Sequence, residues 1–139
     1  MKGGERMEVD RTLLKLRKAS GGKISRGEAQ KLVALAVLEI GAHPSEKLEK
    51  LKQELTPDFV ERVRRTLILL EFQARACGGP DDIRLRALRA LKLRYGLEDG
   101  RVRTLREVAQ VMGYSAEWVR RLVICVLYVL RWPPWESEE

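Results

Sequence analysis

The stretch TLREVAQVMGYSAEWVRRLVICVLYVLRW, Thr104 to Trp132, constrains the fold more than any other part of the chain. It reads as a helix, a tight turn and a second helix. Thr104 and Glu107 stand at capping-box spacing, where a hydroxyl and a carboxylate satisfy the first free backbone N–H groups. Ala109 is small enough for a second helix to cross closely. Gly113, four residues on, supplies the left-handed backbone that such a turn needs. Ser115 is the next N-cap. Val108, Met112, Val119 and Leu122 fall where they would seal the two helices together. These positions agree on one geometry, the helix-turn-helix; an ordinary helical hairpin is the plainer alternative.

The same second helix changes character after Arg121. The run LVICVLYVL is apolar on every side, and it is too short to span a bilayer. Burying each such side chain contributes roughly 1.5–3 kcal/mol, and leaving them in water makes a sticky patch. Something must therefore pack on this helix. The two candidates are the chain's own N-terminal part and a separate protein.

No strand alternation persists anywhere, and apolar residues recur at three and four, so the expected fold class is all-α. VDRTLLKLRKAS is a short amphipathic helix ended by Gly21-Gly22. SRGEAQKLVALAVLEIG opens on a Ser25/Glu28 capping box, stops at Gly41, and points Leu32, Leu35, Ala36 and Ile40 at a core. SEKLEKLKQEL carries one apolar stripe, Leu48, Leu51 and Leu55. Thr56-Pro57 then starts a long helix bearing Phe59, Val63, Leu67, Leu70 and Phe72. CGGPDD, Cys77 to Asp82, is the clearest break. It divides the chain into an N-terminal helical bundle, 1–80, and a helix-turn-helix part, 81–139. Pro133-Pro134 ends the last helix, and Trp132 and Trp135 either fold back on it or dock in a partner's groove.

Charge is placed unevenly. The 139 residues hold 27 Lys and Arg against 20 Asp and Glu, a net charge of +7. All of that surplus falls between Arg84 and Arg131, where eleven cations, ten of them Arg, face four acids. A basic region of this kind suits a polyanion such as nucleic acid, and Arg forks onto phosphate and guanine edges. If the second helix enters a major groove, Ala116, Glu117, Arg120 and Arg121 face the bases, while Arg101, Arg103 and Arg106 contact phosphates.

Little else suggests chemistry. His43 lies in a turn with no second histidine or cysteine nearby, and Cys77 and Cys125 have no ligand-spaced neighbours. No glycine-rich phosphate loop, catalytic constellation or metal site is expected, nor a cofactor or small-molecule ligand. The first residues lack the apolar core of a secretory signal, and two cysteines suit a reducing compartment, so a soluble, cytoplasmic protein is expected.

The segment LRALRALKLRYGLEDGRVRTLREVAQVMGYSAEWVRRL closely resembles region four of the bacterial sigma-70 family, the primary sigma factors especially. The match rests on LRYGLEDGRVRTLREVA and covers roughly residues 84–131. The resemblance implies a small helical domain that reads the promoter −35 element with its second helix. It also implies docking on the flap of the RNA polymerase β subunit through an apolar surface of earlier helices. By position, Glu117 matches a base-reading glutamate, and Arg120 keeps a basic position. Arg121 replaces a usual glutamine and Ala116 a usual arginine. Arg94, Arg103 and Thr104 match backbone-contacting positions, with Ser115 beside the reading tip. Leu85, Leu88 and Leu91 lie on the helix that would face the flap. The last helix departs from the family: Ile124, Cys125, Tyr128 and Val129 occupy places usually held by cations, and Trp118 replaces another arginine. Ile124, Tyr128, Trp132 and Trp135 are thus candidate protein contacts.

Residues 1–80 resemble no sigma region, and the aromatic-rich segment that melts the −10 element is missing from the chain. Three readings follow. The first is a transcription regulator binding promoter DNA. The second is a regulator that binds the polymerase flap or a sigma factor without reading DNA. The third is one half of a two-subunit sigma factor. The origin implied is a bacterial cell or a phage, and an enzyme is the least favoured class.

Overall fold

A computed structural model describes residues 7–136. Seven α-helices and a final 3-10 turn account for the regular structure, and among the described residues there is no strand. The fold is all-α. In chain order the helices are α1 (Glu8–Ser20), α2 (Arg26–Ile40), α3 (Leu48–Gln53), α4 (Pro57–Gly78), α5 (Ile83–Tyr95), α6 (Leu105–Met112) and α7 (Ala116–Arg131).

Local chemistry sets most of the boundaries. The Ser25 hydroxyl accepts from the Glu28 N–H while the Glu28 carboxylate accepts from Ser25, so α2 starts on a complete capping box. Thr56 caps α4 with Pro57 in its first turn, and Asp82 caps α5. Met7, before α1, offers no capping side chain. The Glu39 carboxylate of α2 takes that role, accepting from the Glu8 and Val9 N–H groups at 2.5 and 3.0 Å. α3 begins three residues later than the charged pattern suggests, because Pro44 and Ser45 form a turn closed on His43.

α2 is the central element. It packs against α1, α3, α4 and α7, and touches α5. Leu32 to Leu38 are consequently buried without a break, where the sequence suggested one inward face. α3 keeps its stripe, with Leu48 and Leu51 buried and Leu55 partly so. On α4, Val63 and Leu67 enter the core, but Phe72 does not: it is 69% exposed, beside Ile68 and Leu69.

The break at Cys77–Asp82 is a sharp corner between α4 and α5, and one core runs across it. Val9, Val33, Val37 and Val63 belong to the same buried cluster as Leu91, Val119, Leu127 and Leu130. α7 lies against α5, α2 and α6, and more lightly against α4. α5 and α6, together with α2 and α4 of the N-terminal part, therefore cover the inner side of the apolar helix: Val119, Leu122, Val123, Val126, Leu127 and Leu130 are all buried.

A candidate nucleic-acid interface at the helix-turn-helix

α6 and α7 form the expected motif. The Thr104 hydroxyl accepts from the Glu107 N–H, and the Glu107 carboxylate accepts from the Thr104 N–H. Gly113 takes φ 77°, and its N–H closes the helix onto the Ala109 carbonyl. The Ser115 hydroxyl accepts from the Trp118 N–H and starts α7. Val108, Ala109, Val119 and Leu122 are buried between the helices, and Met112 packs on them. Ser115 and Thr104 thus spend their hydroxyls on caps.

The tip of α7 projects outward. Glu117 and Arg121 are exposed, Arg120 is half-covered, and Ala116 packs against the core edge. Glu117 is gripped from both sides. Arg120 donates through Nε at 3.1 Å and Nη2 at 2.6 Å, and Arg121 donates through Nε at 3.1 Å. Hydrogen bonds from Arg120 and then Arg121 hold the Glu117 carboxyl down at about 2. The three side chains form one hydrogen-bonded cluster with a net positive charge.

The phosphate-contact candidates divide. Arg101 and Arg106 are exposed, and neither joins an ion pair among the described residues. Arg103 is largely covered and locked to Asp99 through both guanidinium amines, at 3.2 and 2.7 Å. This pairing pulls the Asp99 carboxyl down to about 2. Arg94 is a correction to the sequence reading. Only 4% of it is exposed. It donates to the Arg103 carbonyl at 2.5 Å and pairs with Asp10 of α1 at 3.2 Å, so it holds the fold together and faces no solvent.

The flap-facing leucines are corrected in the same way. Leu88 and Leu91 are buried, because α5 is packed between α7 and α4 and is tied to α4 by the Lys92–Glu71 ion pair. Only Leu85 is partly open, in a cleft with Glu71, Arg75 and Tyr114.

The outer side of α7 is charged at its start and apolar after Arg121. Glu117, Arg121, Cys125, Tyr128 and Trp132 recur at three and four and share one face. Cys125 is exposed, and Trp118, Tyr128 and Trp132 are 40%, 48% and 57% exposed. The cover expected for Cys125 and Tyr128 is therefore not provided by the N-terminal helices. Ile124 and Val129, at the edges of the stripe, are half-buried. The tail partly folds back: Trp132 stacks on Tyr128 with centroids 5.9 Å apart, and Glu136 pairs with Arg62 at 3.7 Å. Trp135 remains 38% exposed.

The N-terminal part also supplies neighbours that the sequence did not single out. Arg17 of α1 pairs with the free oxygen of the capping Glu107. The α1–α2 turn pairs with the linker before α6, with Lys23 opposite Arg101 in an antiparallel bridge. The only local signal was Gly21-Gly22 followed by cations, which reads equally well as a helix stop.

Among the described residues, no cluster of histidine, cysteine or acidic side chains could hold a metal ion, and no helix is long and apolar enough to cross a membrane. Comparison with known proteins gives a partial match. Over 53 residues the chain is 43% identical to RNA polymerase sigma factor SigA of a Bacillus species, spanning 38% of this chain and 14% of that protein. Over 43 residues it is 49% identical to RNA polymerase sigma factor SigA of Listeria monocytogenes, spanning 31% of this chain and 12% of that protein. The similarity thus spans about one-seventh or less of the relatives' length. No family model matches, and no solved structure matches.

Proposed function

We propose that this protein is a non-enzymatic transcription regulator acting at bacterial RNA polymerase, in the cytoplasm, and that it binds promoter DNA through α6 and α7. The observation that carries the reading is the outward α7 tip, Glu117, Arg120 and Arg121, set by the Gly113 turn, in a chain partly similar to a sigma factor. In this reading the N-terminal end of α7 enters the major groove of a −35-like duplex. Glu117 accepts from cytosine N4, and an arginine forks onto guanine O6 and N7. On entering the groove the arginines and Glu117 exchange their mutual ion pairs for neutral base edges, a cost that the base contacts must offset. Arg101 and Arg106 contact phosphates and position the domain without reading sequence.

The test is an electrophoretic shift against −35-like duplex, with Glu117→Ala and Arg121→Ala. Each substitution is expected to lower affinity for the preferred sequence by about 1–3 kcal/mol, or roughly 5- to 150-fold, with little change on random duplex. A protein that shows no salt-sensitive duplex binding would sink this reading.

One observation favours a second reading, in which the protein binds the polymerase or a sigma factor without reading DNA. The outer stripe of α7 is apolar where a DNA-binding helix gains from cations. Core polymerase or sigma factor retained by the protein after nuclease treatment, and lost with Tyr128→Ser and Trp132→Ser, supports it. Retention of neither removes it.

A further inference from the structure

We infer that the N-terminal part forms half of a phosphate clamp, in which Lys23 and Arg101 grip the backbone of duplex DNA beside α6. The Ile24 N–H donates to the Gly100 carbonyl, and the Val102 N–H donates to the Gly22 carbonyl, both at 2.8 Å. These bonds flank Lys23 and Arg101, which face each other across the bridge as a non-hydrogen-bonded antiparallel pair. In such a pair the side chains leave on the same side and stand at their closest, about 5 Å apart at Cβ. Ile24 and Val102, the next residues on each segment, turn the other way and pack against the core. Lys23 and Arg101 are therefore both exposed.

Neither cation has an acidic partner among the described residues. Like charges placed directly opposite each other repel, so the fold holds this pair at a cost unless an anion bridges it. The approach is also enforced. A Cβ on Gly100, at φ 74°, would lie 2.8 Å from the Ile24 carbonyl oxygen, so glycine is needed for the two segments to meet.

The surroundings indicate the kind of anion. Arg101 lines a groove whose walls also include Arg17, Gly22, Arg103, Glu107 and Gln110, running along the outward side of α6. Arg17 and Arg103 are already neutralised by Glu107 and Asp99, so the surplus charge of the groove comes from Arg101, and Lys23 stands opposite Arg101 across the bridge. The first helix of a helix-turn-helix crosses the DNA backbone while the second enters the groove. A groove along α6 with a doubled cation at its head fits a run of phosphodiesters. The proposal rests on the DNA-binding reading for its ligand, but it needs no base recognition.

The experiment measures duplex affinity against salt for the full chain, on −35-like and random duplexes. The variants are Lys23→Gln, Arg101→Gln, their double, and Glu117→Ala. Each neutralised phosphate contact contributes about 0.9 to the slope of log affinity against log salt. The double variant is expected to lower that slope by roughly 2 and the affinity by about 10-fold or more on both duplexes alike, with half the slope change in Lys23→Gln. Glu117→Ala should lower only the sequence preference. Cooperative melting of each variant verifies the fold, and the surface single substitution reports even where the double does not fold. An unchanged slope in Lys23→Gln and Arg101→Gln, with sequence preference intact in the parent protein, overturns the clamp and leaves the base-reading proposal standing. Loss of slope with no sequence preference in the parent protein supports the clamp and overturns base reading. No duplex binding at all overturns both.

Discussion

Glu117 illustrates how one residue can be legible in type and hidden in state. Its spacing to Arg120 and Arg121 is that of helix neighbours, and the same spacing suits three separate base contacts. The structure closes all three on one another. A carboxyl held at about 2 rather than near 4.5 binds its proton only at lower pH. Whatever stability the pairs contribute is present above about 4.5 and is lost as pH falls through about 2. The group is fully exposed, so solvent screens the effect. A carboxyl-detected NMR titration is expected to place the Glu117 midpoint near 2, and to move it up towards 4.5 in an Arg120→Gln, Arg121→Gln variant. A midpoint already near 4.5 in the parent protein would show that the pairs with Glu117 do not persist.

At the scale of elements, helix ends were written locally and helix contacts were not. Ser25, Thr56, Thr104 and Ser115 each cap within three residues, so their positions followed from spacing alone. The docking of α1 depends on residues distant in sequence: Glu39 caps it, Asp10 pairs with Arg94, and Arg17 pairs with Glu107. No local pattern announces such partners. That is why Arg94, a cation in the last turn of a helix in a basic region, read as a phosphate contact. Its burial gives the opposite expectation. Arg94→Ala should cost about 2–3 kcal/mol of folding stability, through a lost charged hydrogen bond and an orphaned carbonyl. Arg106→Ala, on the exposed side of α6, should change stability by less than about 0.5 kcal/mol and weaken duplex binding instead. Denaturant midpoints of the two variants, set beside their salt-dependent affinities, separate the roles. Equal stability losses would contradict the assignment.

Across the whole molecule, the helix-turn-helix cannot be read apart from the helices that precede it. The sequence break at 77–82 marks a turn in the chain, but periodicity says nothing about which face meets which. α7 needed cover, and α2 lies against it, while α4 covers α5. This arrangement ties the α7 tip to the N-terminal part mechanically, and it provides a way to measure the coupling. All three tryptophans, Trp118, Trp132 and Trp135, lie in the C-terminal third, so their fluorescence reports α7 and the tail. Leu35→Ala, a 4%-exposed site in α2, should cost roughly 2–5 kcal/mol. If the shared core unfolds as one unit, the tryptophan transition and the helical circular dichroism transition move together by that amount. A tryptophan transition that stays in place while the helical signal shifts would mean that α5 to α7 stand alone. The N-terminal helices would then be an attachment to the helix-turn-helix and no longer the support on which its geometry depends.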